Sequence, residues 1–196
     1  LGWSPKDNRE KLSLDEMIEL FSLDGISKSA SIFDEAKMRW LNGQYIKELS
    51  DEAFYEKAKP FLEKCDYLKG FDLRYLAGLL KGRTEVLSDV ADLTAFIDKF
   101  DGFDLDLFCN QKWKTDRNTA AAMLPDLLPL LDADNLHAAL ETYAAEHGYK
   151  KGQVLWIFRI AITGSAVTPG GATEMKELLG AARCKERIGE VLKRLK

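Results

Sequence analysis

Histidine and cysteine are scarce in this chain, two and three among 196 residues. Cys65, Cys109 and Cys184 are an odd, widely spaced set without a C-x-x-C pair, and His137 and His147 stand alone, so neither a disulfide framework nor a zinc site is expected. Long apolar runs are missing too. No stretch approaches the roughly 20 residues that span a bilayer, and the amphipathic start from Asp7 to Leu23 lacks the basic and apolar regions of a signal peptide. There is no G-x-S-x-G, no P-loop and no G-x-G-x-x-G. Carboxylates are plentiful, but pairs such as Glu16/Glu19 and Asp101/Asp104 have no neighbour that would tune a general acid or base. The acidic run from Phe100 to Leu107 fails as a calcium loop. Its glycine is misplaced and Lys112 stands where the bidentate Glu would be, so a turn with a helix cap is expected there. No strand, internal repeat or low-complexity tract is evident.

What is present is an ordinary balance of 46% hydrophobic and 31% charged residues, with an uneven distribution of charge. The net charge is −4 overall, but ten Lys or Arg against four Glu from Gly148 onward give that stretch +6 and leave −10 before it. An acidic body with a basic C-terminal end suits a protein that meets a polyanion with one face. A solvated lysine-rich terminal helix would produce the same asymmetry.

The apolar spacing is helical almost throughout. Ser13 and Glu16 form an S-x-x-E capping box before Leu14, Met17, Ile18 and Phe21, with Gly25 as the expected stop. Asp34 caps a helix through Met38, Leu41, Tyr45 and Ile46, and Ser50 caps another through Phe54, Ala58, Phe61 and Leu62. A helix from Asp72 to Leu80 breaks at Gly82, so Arg83 emerges at a junction, where it could be a surface or capping residue. The alanine-rich helix after Asp116 meets Pro125 and Pro129, and a kink or restart is expected there. A helix over Leu136, Leu140, Tyr143 and Ala144 ends at His147-Gly148, and a last one, Ala182 to Leu195, should bury Ile188, Val191, Leu192 and Leu195 and expose a basic face.

One stretch stands out, Gly152 to Gly180. Val154, Ile157, Phe158 and Ala161 mark one buried helix face, and Arg159 is the sole charge before Glu174. Gly164 can end that helix with a positive φ, and Pro169 can open the next one. Such a turn leaves N–H groups near an arginine, an arrangement suited to an anion.

Four segments in register, LGWSP, SLDEMIELFSL, ISKSASIFDEAKMRWLNGQYI and ITGSAVTP with its following ELLG and terminal ERI helix, resemble bacterial glutamyl-tRNA synthetases. The resemblance covers nearly the whole chain and is looser from about Phe96 to Asn135. It implies an all-α fold: a stem-contact remnant over 1–47, followed by two helical anticodon-binding subdomains, 48–124 and 125–196, forming a helix bundle or cage. The HIGH-like and KMSKS-like motifs that sit on ATP in the family's catalytic domain are absent, and Ser27-Lys28-Ser29 belongs to a later loop of the family without an ATP role. The chain therefore reads as a fragment beginning in mid-domain that binds tRNA but does not itself activate glutamate. No cofactor is expected in it, ATP and magnesium belonging to the full enzyme.

The resemblance also implies site residues. Arg83 in LLKGRTEVL falls where discriminating family members place an arginine that reads the third anticodon base, and Arg159, Thr168, Pro169 and Gly170 fall on the anticodon-facing turn. Relatives often carry bulky apolar residues where this chain has Gly171 and Ala172, which implies weaker contact with a splayed base there. The implied partner is the anticodon arm of glutamate tRNA, with no DNA and no membrane, bound by a cytoplasmic monomer. A helical protein-interaction module and an independent acid–base enzyme are the competing classes; the basic C-terminal end favours the first reading over the former, and the missing motifs disfavour the latter.

Overall fold

The computed structural model describes residues 2–29 and 32–196; Leu1 of the LGWSP run and Ala30 and Ser31 of the ISKSAS run lie outside the described residues. The described chain is all-α, with no strand beyond two isolated bridges, Trp3 with Ile26 and Asn110 with Thr115. Helix α1 (Leu14–Leu20) starts at the capping box: the Ser13 hydroxyl accepts from the Glu16 N–H at 3.2 Å, and the Glu16 carboxylate accepts from the Ser13 N–H at 2.8 Å. Its expected apolar face is only partly covered: Phe21 packs against Trp3, with ring centroids 5.8 Å apart, and the rest of the face stays open. Leu14 and Ile18 are each 69% exposed, and α1 stops at Leu20, while Gly25 closes a separate 3-10 turn, Leu23–Gly25.

Helix α2 (Glu35–Glu48), capped by Asp34, lies against the segment before α5 (Asp89–Thr94). Gly43 allows the approach, since a Cβ there would stand 3.3 Å from Cγ of Glu85. The Arg39 guanidinium clasps both oxygens of Asp89 at 2.8 Å. Helix α3 (Asp51–Leu62), capped by Ser50, buries Phe54, Ala58 and Leu62 against α4 (Leu73–Leu80), which buries Leu76, Ala77 and Leu80. Asp104 caps a 3-10 turn, Leu105–Phe108, through the Asp106 N–H.

Helix α6 (Arg117–Leu130) runs unbroken through Pro125 and Pro129 and does not restart. It buries Ala120, Met123, Leu124 and Leu127 while both prolines stay exposed, so water can reach the carbonyls that lose their N–H partners. A division at 124/125 falls inside this helix, and the buried side chains form one cluster from Ile46 to Val191. Helices α7 (Leu136–Glu146), α8 (Lys151–Thr163), α9 (Ala172–Leu179) and α10 (Ala181–Arg194) complete the chain. Helix α8 is central and touches α6, α7, α9 and α10.

The basic face expected on α10 is interrupted. Arg187 is buried beside Ile188 and Val191, and its guanidinium donates to the carbonyls of Ile162 and Ile97 at 2.8 Å each while lying 4.3 Å over the Phe100 ring. It ties the C-terminal end of α8 to the turn that follows α5. Burial, with the nearby positive charge of Arg183, pushes this guanidinium below the ordinary arginine value.

Candidate nucleic-acid interface

Helix α8 brings the singled-out arginine to the surface by its own spacing. Val154, Ile157, Phe158 and Ala161 face the core with no exposure, and Gly152, Leu155, Trp156 and Arg159 recur on another flank at i, i+3, i+4 and i+7. Gly164 caps α8 in the left-handed region at φ 63°, the chain turns back, and the Arg159 guanidinium reaches across that turn. It donates to the Ala166 carbonyl at 3.0 Å and the Thr168 hydroxyl at 2.8 Å, with the Ser165 carbonyl at 3.5 Å. All of these acceptors are neutral, so the positive charge of Arg159 is held in place without being cancelled. Its guanidinium also lies 5.0 Å over the Trp156 ring, and Trp156 is itself fixed by donating its indole N–H to the Leu107 carbonyl at 3.1 Å.

Arg83 arrives from the end of α4. The Arg83 and Thr84 N–H groups both bond the Leu80 carbonyl, at 2.8 and 3.0 Å, and the buried Thr84 hydroxyl bonds the same carbonyl at 3.0 Å. The backbone of Arg83 is thereby pinned while its side chain is exposed. Burial first, and the charge of Arg83 second, hold the Arg159 guanidinium below the ordinary arginine value. The two arginines, far apart in sequence, are thus close enough in space to repel.

The remaining residues of the turn are placed differently from the expectation. Helix α9 begins at Ala172 with Gly171 as its N-cap, so Pro169 is not its first residue. Thr168 is 2% exposed and Pro169 is buried; the Thr168 hydroxyl is engaged by Arg159 and donates to the Gly170 carbonyl at 2.7 Å. Gly170 sits where a Cβ would come within 2.9 Å of Cβ of Glu174 and 3.1 Å of Cε of Met175. These three residues brace the turn, and Ala166, Val167 and Gly171 are the ones exposed on it.

Beside this turn lies a cleft of about 590 Å³ that the sequence did not reveal. Trp113, Gly152, Leu155 and Trp156 supply its apolar walls, Lys150, Lys151 and Arg159 its charge, and Gly171 and Ala172 one end. No carboxylate among the described residues lines it. Trp156 and Leu155 could have been found from the i, i+3, i+4, i+7 flank shared with Arg159. Trp113 could not, because it comes from a loop with no periodic signal.

The sequence pattern of the family described as anticodon binding domain matches residues 53–192. Among curated proteins, a glutamate–tRNA ligase of Lachnoclostridium phytofermentans is 38% identical over 194 residues, 96% of this chain and 39% of its own length. One from Clostridium botulinum is 37% identical over 204 residues, 100% of this chain and 42% of its own. This chain therefore spans about two-fifths of the length of the curated relatives it matches. Among solved structures, a glutamate–tRNA ligase from Elizabethkingia meningosepticum superposes over 100% of this chain and 39% of its own, with TM-score 0.73 and 26% identity. The glutamate–tRNA synthetase of Elizabethkingia anophelis does so over 98% and 38%, with TM-score 0.74 and 25% identity.

Proposed function

Because this chain belongs to the anticodon binding domain family, and such a domain binds tRNA, we propose that it grips the anticodon arm of glutamate tRNA as part of a glutamate–tRNA ligase. In that reaction ATP, L-glutamate and tRNA give glutamyl-tRNA, AMP and diphosphate. The catalytic steps are assigned outside this chain, which carries none of the motifs for them. The reading has it act in the cytoplasm as a monomer.

One observation carries the proposal: Arg159 is bonded only to neutral oxygens among the described residues and lines a cleft together with Lys150 and Lys151. A guanidinium that no carboxylate neutralises is unfavourable alone and favourable against a polyanion. In this reading Arg83, on its pinned turn, reads the third anticodon base. Its fork can donate two parallel bonds to the acceptors on the Watson–Crick edge of cytosine, which guanine does not match. Arg159 meets backbone charge, and Thr168, Pro169 and Gly170 hold the turn that presents it.

Two titrations test this. Wild type should bind glutamate tRNA more tightly than glutamine tRNA, and Arg83→Gln should reduce that preference; no preference in either protein refutes the role of Arg83. Arg159→Ala should weaken binding and flatten its dependence on salt by about one phosphate contact. An unchanged salt slope removes Arg159 from the interface. A protein-binding module is the second reading, favoured by the exposed apolar side chains Leu14, Ile18, Leu23 and Phe33. It leaves the arginine pair unexplained, and absence of tRNA binding would select it.

A further inference from the structure

Helix α2 carries an arginine that is held in the opposite way to Arg159. Of the fourteen residues of α2 only Gly43 and Ile46 are buried, so apolar packing is a small part of what seats this helix on the rest of the chain. Polar contacts supply the remainder. The Arg39 guanidinium grips both oxygens of Asp89 at 2.8 Å, and its Nε stands 3.6 Å from the Glu85 carboxylate. One turn on, the Asn42 side-chain amide donates to the Glu85 carbonyl, and a Cβ at Gly43 would stand 3.4 Å from Cα of Glu85 and 3.6 Å from the Thr84 carbonyl oxygen. Arg39, Asn42 and Gly43 recur at i, i+3 and i+4 and so form one side of the helix. That side rests on residues 84–89.

The segment gripped in this way begins one residue after Arg83. On its near side the backbone is fixed to the Leu80 carbonyl, which accepts from the Arg83 and Thr84 N–H groups and from the Thr84 hydroxyl. The chain then bends irregularly until α5 starts at Asp89. Asp89 secures the far side, because the carboxylate that Arg39 clasps also accepts the Val86 N–H at 2.9 Å. Arg39 itself is poorly suited to meet a phosphate, since two carboxylates face its guanidinium where Arg159 has only neutral acceptors. An arginine fork discriminates between bases only while both N–H groups stay aligned with the base edge, whereas the attraction of its charge survives misalignment. We propose that Arg39 is a positioning residue for base choice: through Asp89 it holds the turn after Arg83 against α2 and so sets the direction in which the Arg83 side chain leaves the backbone. The inference rests on the reading of Arg83 given above and adds that the choice of base depends on how α2 is seated.

The test measures binding of this protein to two RNA hairpins that carry the anticodon loop of glutamate tRNA, one with cytosine and one with guanine at the third anticodon position, over a range of salt. Wild type should prefer cytosine. Arg39→Met should cut that preference about three- to tenfold, chiefly by weakening the cytosine hairpin, and should leave the salt slope unchanged, because no phosphate contact is lost. Asp89→Asn removes a charge of the opposite sign and should narrow the preference in the same direction, which a change in overall charge cannot do. Partial unfolding lowers the apparent affinity for both hairpins by one common factor and leaves their ratio untouched. The proposal is overturned if either variant keeps the wild-type preference, or if the salt slope of Arg39→Met falls as it would for a lost phosphate contact. Absence of any preference in the wild type instead refutes the reading of Arg83, and this role of Arg39 with it.

Discussion

Replacing Gly152 by alanine sets two effects of opposite sign against each other, and the structure says which is larger. Gly152 is the second residue of α8 and has no positive φ, so alanine there should gain about 0.5–1 kcal/mol of helix stability. Against that, the new Cβ would lie 2.2 Å from Cζ3 and 2.4 Å from Cε3 and Cη2 of Trp113. No Cβ tolerates such contacts, and the outer ring of a tryptophan is easier to displace than a helix backbone, so the indole must swing out. A covered tryptophan buries about 200 Å². Trp113 is half-buried, and its ejection returns roughly 100 Å² of apolar surface to water, or about 2.5 kcal/mol. The net loss is about 1.5–2 kcal/mol, a fall in Tm of roughly 3–8 °C for a chain of this size.

Calorimetry on four proteins decides it. In the Trp113→Ala background there is no ring to displace, so Gly152→Ala should raise Tm there while lowering it in the wild type. The sign reversal is the essential result. An increase in Tm in both backgrounds would mean that the indole does not rest on Gly152, and the account of how the cleft is closed would be wrong.

Other outcomes follow from the same geometry. Arg187→Met should cost about 2–4 kcal/mol in urea unfolding, because it keeps bulk but leaves the Ile162 and Ile97 carbonyls without their donors. Arg187→Lys should fall between the two if those bonds matter, and a neutral Arg187→Met would show that water replaces them. The acid limb depends on Asp89. Burial would raise its carboxyl, but the Arg39 clasp and the Val86 N–H outweigh that and hold it below the ordinary 3.8. A carboxyl lowered by folding contributes stability that is full above its unfolded value and is lost as pH falls from 3.8 through the lower native one. Asp89→Asn should therefore be less stable than wild type at neutral pH and should lose less further stability below 3.8; parallel acid titrations by circular dichroism would refute the clasp.

Local signals were legible in the sequence and long-range ones were not. Ser13, Asp34, Ser50, Asp72 and Asp116 all cap the helices they precede, because a cap is decided within four residues. Gly164 ends α8 for the same reason. The misses involve partners distant in the chain. Pro125 and Pro129 were expected to break α6, but the buried stripe from Ala120 to Leu127 holds the helix together against the rest of the core. Arg187 looked like one more charge on a basic face, and only the approach of Phe100 and of the Ile97 and Ile162 carbonyls makes it a buried clamp. Pro169 looked like a helix start, but the Thr168 hydroxyl donates to the Gly170 carbonyl within the turn and α9 begins only at Ala172, with Gly171 as its N-cap. Arg83 and Arg159 were each singled out from resemblance and context; that they share one electrostatic neighbourhood was not legible at all.

Several unfavourable choices in this chain lie around the cleft beside Arg159. Gly152 gives up roughly 1 kcal/mol of helix propensity relative to alanine. Lys114 sits in the left-handed region at about 1 kcal/mol or more. Arg159 is part-buried, bonded to neutral oxygens only, and faces the charge of Arg83. Gly171 and Ala172 leave one end of the cleft without a bulky side chain. Each of these departs from the choice that stability alone would favour, and Gly152 cannot be corrected by alanine while Trp113 rests on it. Local violations that converge on one surface are the pattern expected of a functional site. Here they also divide the work. In the proposed reading the arginines make the face attractive to RNA and Arg83 discriminates a base, while Gly152, Lys114 and the small pair at 171–172 jointly shape the aromatic cleft. The small residues at 171 and 172 therefore leave wide one end of a space that Trp113 closes from another.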